Sequence, residues 1–168
     1  MHQHSFTLRG NGGLLRQLIM PVTITIPGDD AKKITIQGLW DTGASTTVIT
    51  KNVVDAIGLV PVGKATVHTA SETVLTDVFL IDLFLKHDVK IQGMNVTLGK
   101  LTGIDCLIGM DIINIGDFSI TNYNGTTCMS FGLPSKHEVD YVKDTQKVLD
   151  IKQSNAEYMK KLKGGRRR

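Results

Sequence analysis

Ile36-Gln37-Gly38-Leu39-Trp40-Asp41-Thr42-Gly43-Ala44-Ser45-Thr46-Thr47-Val48-Ile49 is the stretch on which the fold of this 168-residue chain turns. An apolar run ends on a carboxylate. A glycine two residues later lets the backbone reverse sharply, and a β-branched run leaves the turn. The pattern predicts a strand over Lys33–Trp40, a loop at Asp41–Ser45 and a short strand over Thr46–Thr50. A carboxylate at a strand end beside glycine can project into a cleft. Asp, Thr and Gly are also ordinary turn residues, so the tripeptide alone does not decide between chemistry and a turn.

The flanking sequence extends the same texture. Val22, Ile24 and Ile26 alternate with Thr23 and Thr25, and Pro27-Gly28-Asp29-Asp30 turns the chain toward Lys33–Trp40 as a hairpin. Lys51–Gly58 reads as one or two helical turns stopped by Gly58. Ala65–His68 and Val74–Leu85 read as strands around the polar turn Thr69-Ala70-Ser71-Glu72-Thr73. Val89–Leu98 is a further strand and Ile104–Ile108 a short central one. Gly109–Ile115 reads as a short helix. Phe118–Thr121 and Thr126–Phe131 form a last hairpin on Asn124-Gly125. Many short strands with frequent turns indicate an all-β domain over 20–134. Residues 1–19, with Gly10, Gly12 and Gly13, read as a flexible lead-in. At 135–168 the period changes. Ser135 and Glu138 have capping-box spacing. Val139, Val142, Leu149, Ala156 and Met159 recur at helical intervals, predicting an exposed helix to about Leu162 and a disordered Gly164-Gly165-Arg166-Arg167-Arg168 end.

Composition sets bounds. Hydrophobic residues are 41% and charged residues 21%, which excludes wholesale disorder, and only 5% are aromatic, so the core must be aliphatic. No apolar run approaches the ~20 residues of a membrane span. The start lacks the basic-then-apolar pattern of a secretory signal, so a cytoplasmic location is expected. Cys106 and Cys128 make neither a disulfide framework nor a four-ligand zinc site and read as buried free thiols. The five histidines are scattered, and no metal or cofactor is expected. The net charge of +3 is uneven: residues 135–168 hold ten Lys and Arg against five Asp and Glu, and 1–134 hold nine against eleven. A nearly neutral body with a basic tail implies two segments with different jobs.

The Ile36–Ile49 run closely resembles the active-site segment of aspartic proteases, in which an apolar strand enters Asp-Thr-Gly-Ala/Ser and a β-branched run leaves it. A second element matches. Gly109, in Cys106-Leu107-Ile108-Gly109-Met110-Asp111-Ile112-Ile113, is similar to the apolar-apolar-Gly motif (Leu107, Ile108, Gly109) that crosses the catalytic loop in these enzymes. The resemblance covers about residues 20–132. The chain has one Asp-Thr-Gly and no second copy, so it resembles the retropepsin-like, retroviral-type members, and Gly109-Met110-Asp111 resembles their cellular and bacterial variants.

The resemblance implies an all-β retropepsin-like barrel, one lobe per chain with a C-terminal helical extension, acting as a homodimer. Two Asp41 carboxylates, one from each chain and about 3 Å apart, would share a proton across a lytic water. Carboxylates so close cannot both ionise readily and titrate as a pair. Thr42 would bond across the dimer axis, and Gly43 would bring its N–H to the carboxylates. A polypeptide substrate would lie as an extended strand beneath the hairpin around Val67, His68, Thr69 and Ala70, with Ala44, Asp105 and Leu107 also at the substrate.

Departures accompany the match. Retroviral flaps are glycine-rich, whereas no glycine lies between Gly63 and Gly93. Retroviral enzymes usually place Arg where Met110 stands. Asp105 has two readings: a strand-end residue capped by nearby N–H groups, or a pocket carboxylate favouring basic side chains. His68 is a flap contact or simply exposed, and Trp40 reads as core. Two other functions fit the sequence: a dimeric peptide-binding scaffold that does not cut, and a dimerising platform for nucleic acid bound by the basic tail.

Overall fold

The computed structural model of the chain describes residues 3–68, 72–87 and 89–164, with side chains described to residue 160. It divides into two units, residues 1–136 and 137–168.

The first unit is built of ten strands: β1 (His4–Arg9), β2 (Ile19–Ile26), β3 (Asp29–Trp40), β4 (Val48–Ile49), β5 (Gly63–His68), β6 (Thr73–Phe84), β7 (Lys90–Leu98), β8 (Cys106–Ile108), β9 (Asp117–Thr121) and β10 (Cys128–Leu133). Two short helices, α1 (Lys51–Ile57) and α2 (Met110–Ile113), interrupt them. One sheet runs β2-β3-β8-β4-β7-β6-β5, and β2 pairs with β6 as well, which closes six of these strands into a barrel. The other sheet is β1-β10-β9. The interior holds Val22, Ile24, Ile49, Ile81, Leu83, Val96, Ile108 and Ile112, each no more than 1% exposed. The predicted elements are recovered to within a few residues, and Gly58 ends α1 in the left-handed conformation, φ 70°. The turn between β9 and β10 also needs that region, at Asn124 (φ 50°) and Gly125 (φ 70°).

The expected flexible lead-in is corrected. Residues 4–9 form a strand that pairs antiparallel with β10, Phe6 opposite Phe131. Phe6 is 3% exposed and joins a ring cluster with Trp40, Phe118 and Phe131, centroids 5.1–6.1 Å apart. A strand with only two inward apolar residues, whose partner lies at the far end of the domain, leaves little local pattern. Four of the nine aromatic residues thus form one cluster that joins β3 of the barrel to the smaller sheet.

The helical unit also differs from expectation. Its helix α3 spans Tyr141–Gly164, and residues 165–168 of the expected disordered end lie outside the described residues. The Asp140 carboxylate, not Ser135, caps it, accepting the N–H groups of Val142 and Lys143 at 3.0 and 3.1 Å. The Ser135 hydroxyl donates instead to Asp117, at 2.5 Å. Every described α3 side chain is exposed. No helix among the described residues is long and apolar enough to cross a membrane.

A bulge in the β6–β7 pairing follows Ile81. Gly93 takes φ 63° there and donates its N–H to the buried Asp82 carboxylate at 2.8 Å. Lys90 lies 2.9 Å from the same carboxylate and 4.6 Å from the Phe84 ring centroid. Burial alone would push the Asp82 carboxyl up, but the Gly93 N–H and Lys90 outweigh it and hold it below its usual 3.8. Its ionised form therefore stabilises the fold fully above about pH 4, and this contribution is lost as pH falls through the depressed value. Asp82→Asn is expected to destabilise the domain by about 1–3 kcal/mol at pH 7 in urea denaturation. The gap to wild type should shrink when the titration is repeated below pH 3.8.

Candidate active site

The central feature is a crossing. Asp41 leaves the end of β3, and the chain returns as β4. Between these two strands runs β8, parallel to β3 and antiparallel to β4. The Asp41 N–H donates to the Ile108 carbonyl at 2.9 Å, and the Met110 N–H donates to the Ala44 carbonyl at 2.8 Å. The loop is thus pinned to the 106–110 segment on both sides of the catalytic-type tripeptide. Gly109 makes the crossing possible. A Cβ there would stand 2.6 Å from the Thr46 carbonyl carbon and 2.7 Å from its oxygen. Both are backbone atoms with no room to yield.

Asp41 is half-buried, while Thr42 and Gly43 are exposed. The Gly43 N–H donates to Asp41 Oδ1 at 2.8 Å, and the Ala44 N–H to the Asp41 carbonyl at 3.2 Å. This turn fixes the carboxylate while its Oδ2 has no hydrogen bond among the described residues. Trp40, the preceding residue, is 5% exposed, its ring 5.4 Å from Phe118 and nearly parallel to it. The core thus anchors the strand that delivers Asp41.

Two residues that hold the loop escaped the sequence reading. Thr47 is fully buried. Its N–H and hydroxyl both donate to the Asp111 carboxylate, each at 2.8 Å, and its hydroxyl accepts the Gly109 N–H at 3.2 Å. Asp111 Oδ1 also accepts its neighbour's N–H, from Ile112, at 2.9 Å. The donors fix the direction of this chain: Gly109 to Thr47 to Asp111. Asp111 stood inside the quoted second motif as its only carboxylate after the glycine, and that was the available signal.

The other expected residues fall in three places. Leu107 is half-buried, opposite Leu39 on one side and Val48 on the other. Their neighbours Gly38, Trp40, Cys106, Ile108, Thr47 and Ile49 are buried. Alternation therefore puts Leu39, Leu107 and Val48 in one apolar row on the face away from the core. Leu39 and Asp41 line a common cavity of about 410 Å³. Val67 and His68 lie in the β5–β6 hairpin, Val67 half-buried and His68 exposed with Nδ1 2.9 Å from the Thr73 hydroxyl. Thr69 and Ala70 lie outside the described residues. Asp105 precedes β8 at the end remote from Gly109. Its carboxylate accepts the Thr50 hydroxyl at 2.6 Å and the Asn52 amide at 3.3 Å, beside the start of α1. These contacts, from a hydroxyl and a side-chain amide N–H, are those of a strand-end residue, and its pocket reading is not carried forward.

Cys106 is fully buried behind this loop, and burial together with the charges of Asp111 and Asp105 pushes its thiol up to about 12. Such a thiol stays protonated and unreactive. Cys128 is half-buried.

Thr47→Val keeps the side-chain shape and deletes the hydroxyl, leaving the Gly109 N–H and one Asp111 contact unpaired. It is expected to cost about 1–3 kcal/mol in denaturant titration. Amide hydrogen exchange should quicken at Gly109 and Asp41 ahead of the β6–β7 strands, and Thr47→Ser should restore most of both.

Residues 22–112, more than half of the chain, match the family model described as aspartyl protease. No curated protein matches the chain. Solved structures with similar chain traces include a retropepsin-like aspartic protease from Rickettsia conorii, at 11% identity and TM-score 0.49 over 79% of this chain and 96% of that one. EIAV protease with the inhibitor HBY-793 aligns at 18% identity and TM-score 0.47, over 60% of this chain and 88% of that one. The retroviral protease-like domain of Ddi1 from Leishmania major aligns at 14% identity and TM-score 0.40, over 60% and 79% of the two chains. On the family match, which spans both the Asp41-Thr42-Gly43 loop and the β8 crossing that braces it, the chain belongs to the aspartyl protease family.

Proposed function

We propose that the protein is an endopeptidase that hydrolyses peptide bonds with two Asp41 carboxylates, one from each chain of a homodimer. The observation that carries this reading is the braced loop itself. Asp41 is held by the Ile108 carbonyl and the Gly43 N–H in a position that commits only one of its carboxylate oxygens. Acid–base hydrolysis by carboxylates needs a pair, and one chain supplies one. A C2 arrangement of identical loops provides the other, with Thr42 bonding across the axis.

In this mechanism one carboxylate is ionised and the other protonated. The ionised group takes a proton from water as the water oxygen bonds to the scissile carbonyl carbon. The protonated group gives its proton to the carbonyl oxygen. The tetrahedral species collapses when the carbon–nitrogen bond breaks: the nitrogen takes a proton from the newly protonated carboxyl as the amine leaves, and one hydroxyl of the diol returns its proton to the other carboxylate. One amide and one water become a carboxylic acid and an amine, and the dyad returns to its starting state. No covalent intermediate forms. The substrate lies extended under the β5–β6 hairpin, its main chain pairing as a strand, and the Leu39, Leu107 and Val48 row receives apolar side chains beside the cut bond.

The test is cleavage of a diverse peptide mixture between pH 4 and 8, read by mass spectrometry, with wild type and Asp41→Asn both verified as dimers by sedimentation. Wild type should cut, and the variant should be slower by at least about 10²-fold. Activity per chain should also fall on dilution as the dimer dissociates. A folded wild-type dimer that cuts nothing at any pH would overturn the proposal in favour of a non-cleaving peptide-binding module.

A further inference from the structure

We infer that the segment between Leu15 and Leu18 is a wall of the substrate cleft, and that Arg16 in it selects an acidic side chain of the peptide. The inference rests on the peptidase reading above and adds a substrate class to it.

The cavity beside Asp41 is lined by Leu39 of β3, by Ile120 of β9 and by a second wall, Leu15, Arg16 and Leu18. The second wall belongs to no strand or helix, yet it is fastened at both ends. Thr127, 3% exposed, is the main fastening. Its carbonyl accepts the Gly10 N–H at 2.9 Å, and its own N–H donates to the Gly13 carbonyl at 3.1 Å. Its hydroxyl accepts the Leu15 N–H at 2.9 Å and donates to Asn122 Oδ1 at 2.8 Å. At the other end the Leu18 carbonyl accepts the Trp40 N–H at 3.0 Å, one residue before Asp41. Arg16 therefore sits between two pinned points, and part of the ordering of its backbone is complete before any ligand arrives.

The charges in the cavity are few and opposed. Asp41 and Arg16 are the ionisable groups that line it. Arg16 is exposed and forms no ion pair among the described residues. A peptide anion is repelled by Asp41 and attracted by Arg16, so an acidic side chain has one favourable place in the cleft. A guanidinium pairs with a carboxylate through two parallel hydrogen bonds, a geometry a neutral amide reproduces poorly. The cleft then reads as apolar next to the scissile bond and cationic further along the bound strand.

The experiment compares wild type, Arg16→Ala and Arg16→Glu on peptides that differ only in Glu, Gln or Lys at each position flanking one cleavable bond. It measures kcat/KM, and separately measures binding of the same peptides by fluorescence anisotropy on Asp41→Asn protein with each Arg16 residue. Wild type should prefer Glu over Gln by about 10-fold at one position, the preference weakening with added salt. Arg16→Ala should abolish it, and Arg16→Glu should shift it to Lys, with the Gln peptide changed less than about threefold. An unchanged preference in Arg16→Glu overturns the inference. So does an Arg16→Ala variant whose only defect is a weaker dimer by sedimentation, because Arg16 would then belong to the subunit contact. If wild type cuts nothing, the peptidase reading fails, and the anisotropy series still judges the subsite alone.

Discussion

The architecture depends on one close approach: the backbone of Gly109 against the backbone of Thr46. β8 can run between β3 and β4 only because no side chain stands at that point. Everything that defines the site follows from the crossing. It aligns the Ile108 carbonyl with the Asp41 N–H and the Met110 N–H with the Ala44 carbonyl. It also brings Asp111 under Thr47, so that a carboxylate and a hydroxyl tie the two passes of chain together. The hydrogen bonds are good because the crossing is tight, and the crossing stays tight because Thr47, Gly109 and Asp111 satisfy one another in it.

A second constraint works from the opposite side of Asp41. Trp40 is set in the ring cluster that joins β3 to the β1-β10-β9 sheet. The exposed loop therefore extends from a strand whose last residue is immobilised in the core, which is how a turn rich in small residues can present a carboxylate in a defined place. Thr127, one residue before β10 of that sheet, holds the segment that lines the cavity together with Asp41. Core packing, loop position and the shape of the cleft are thus consequences of one set of contacts.

The candidate site of this chain lies at a surface. Asp41 is half-buried and Thr42 is exposed, and the apolar row of Leu39, Leu107 and Val48 lies outside the core. Such a surface gains its low-dielectric enclosure only when other chains cover it, which fits both the proposed second subunit and an extended peptide. The second unit is a charged helix whose described side chains are exposed, with its own cap at Asp140.

The residues by themselves determined what short-range physics controls. Period-two alternation, the turns at Gly28 and Gly125, the stop at Gly58 and the strand–Asp-Thr-Gly–strand run are each set by neighbours a few positions away, and all could be read before any coordinates. The pairing of Asp111 with Thr47, 64 positions apart, could not, nor could the pairing of Phe6 with Phe131. The Arg16 wall was equally hidden, since its hydrogen bonds run to Thr127 and Trp40 and leave no periodicity in residues 10–18. Asp105 shows the same limit from the other direction: a capped strand end and a pocket were both open to it, and the contacts of Thr50 and Asn52 are those of a capped strand end. Local pattern specifies which segments extend and turn. Which polar group meets which partner is decided only when distant segments pack, because a hydrogen bond depends on atoms a few ångströms apart whatever their separation along the chain.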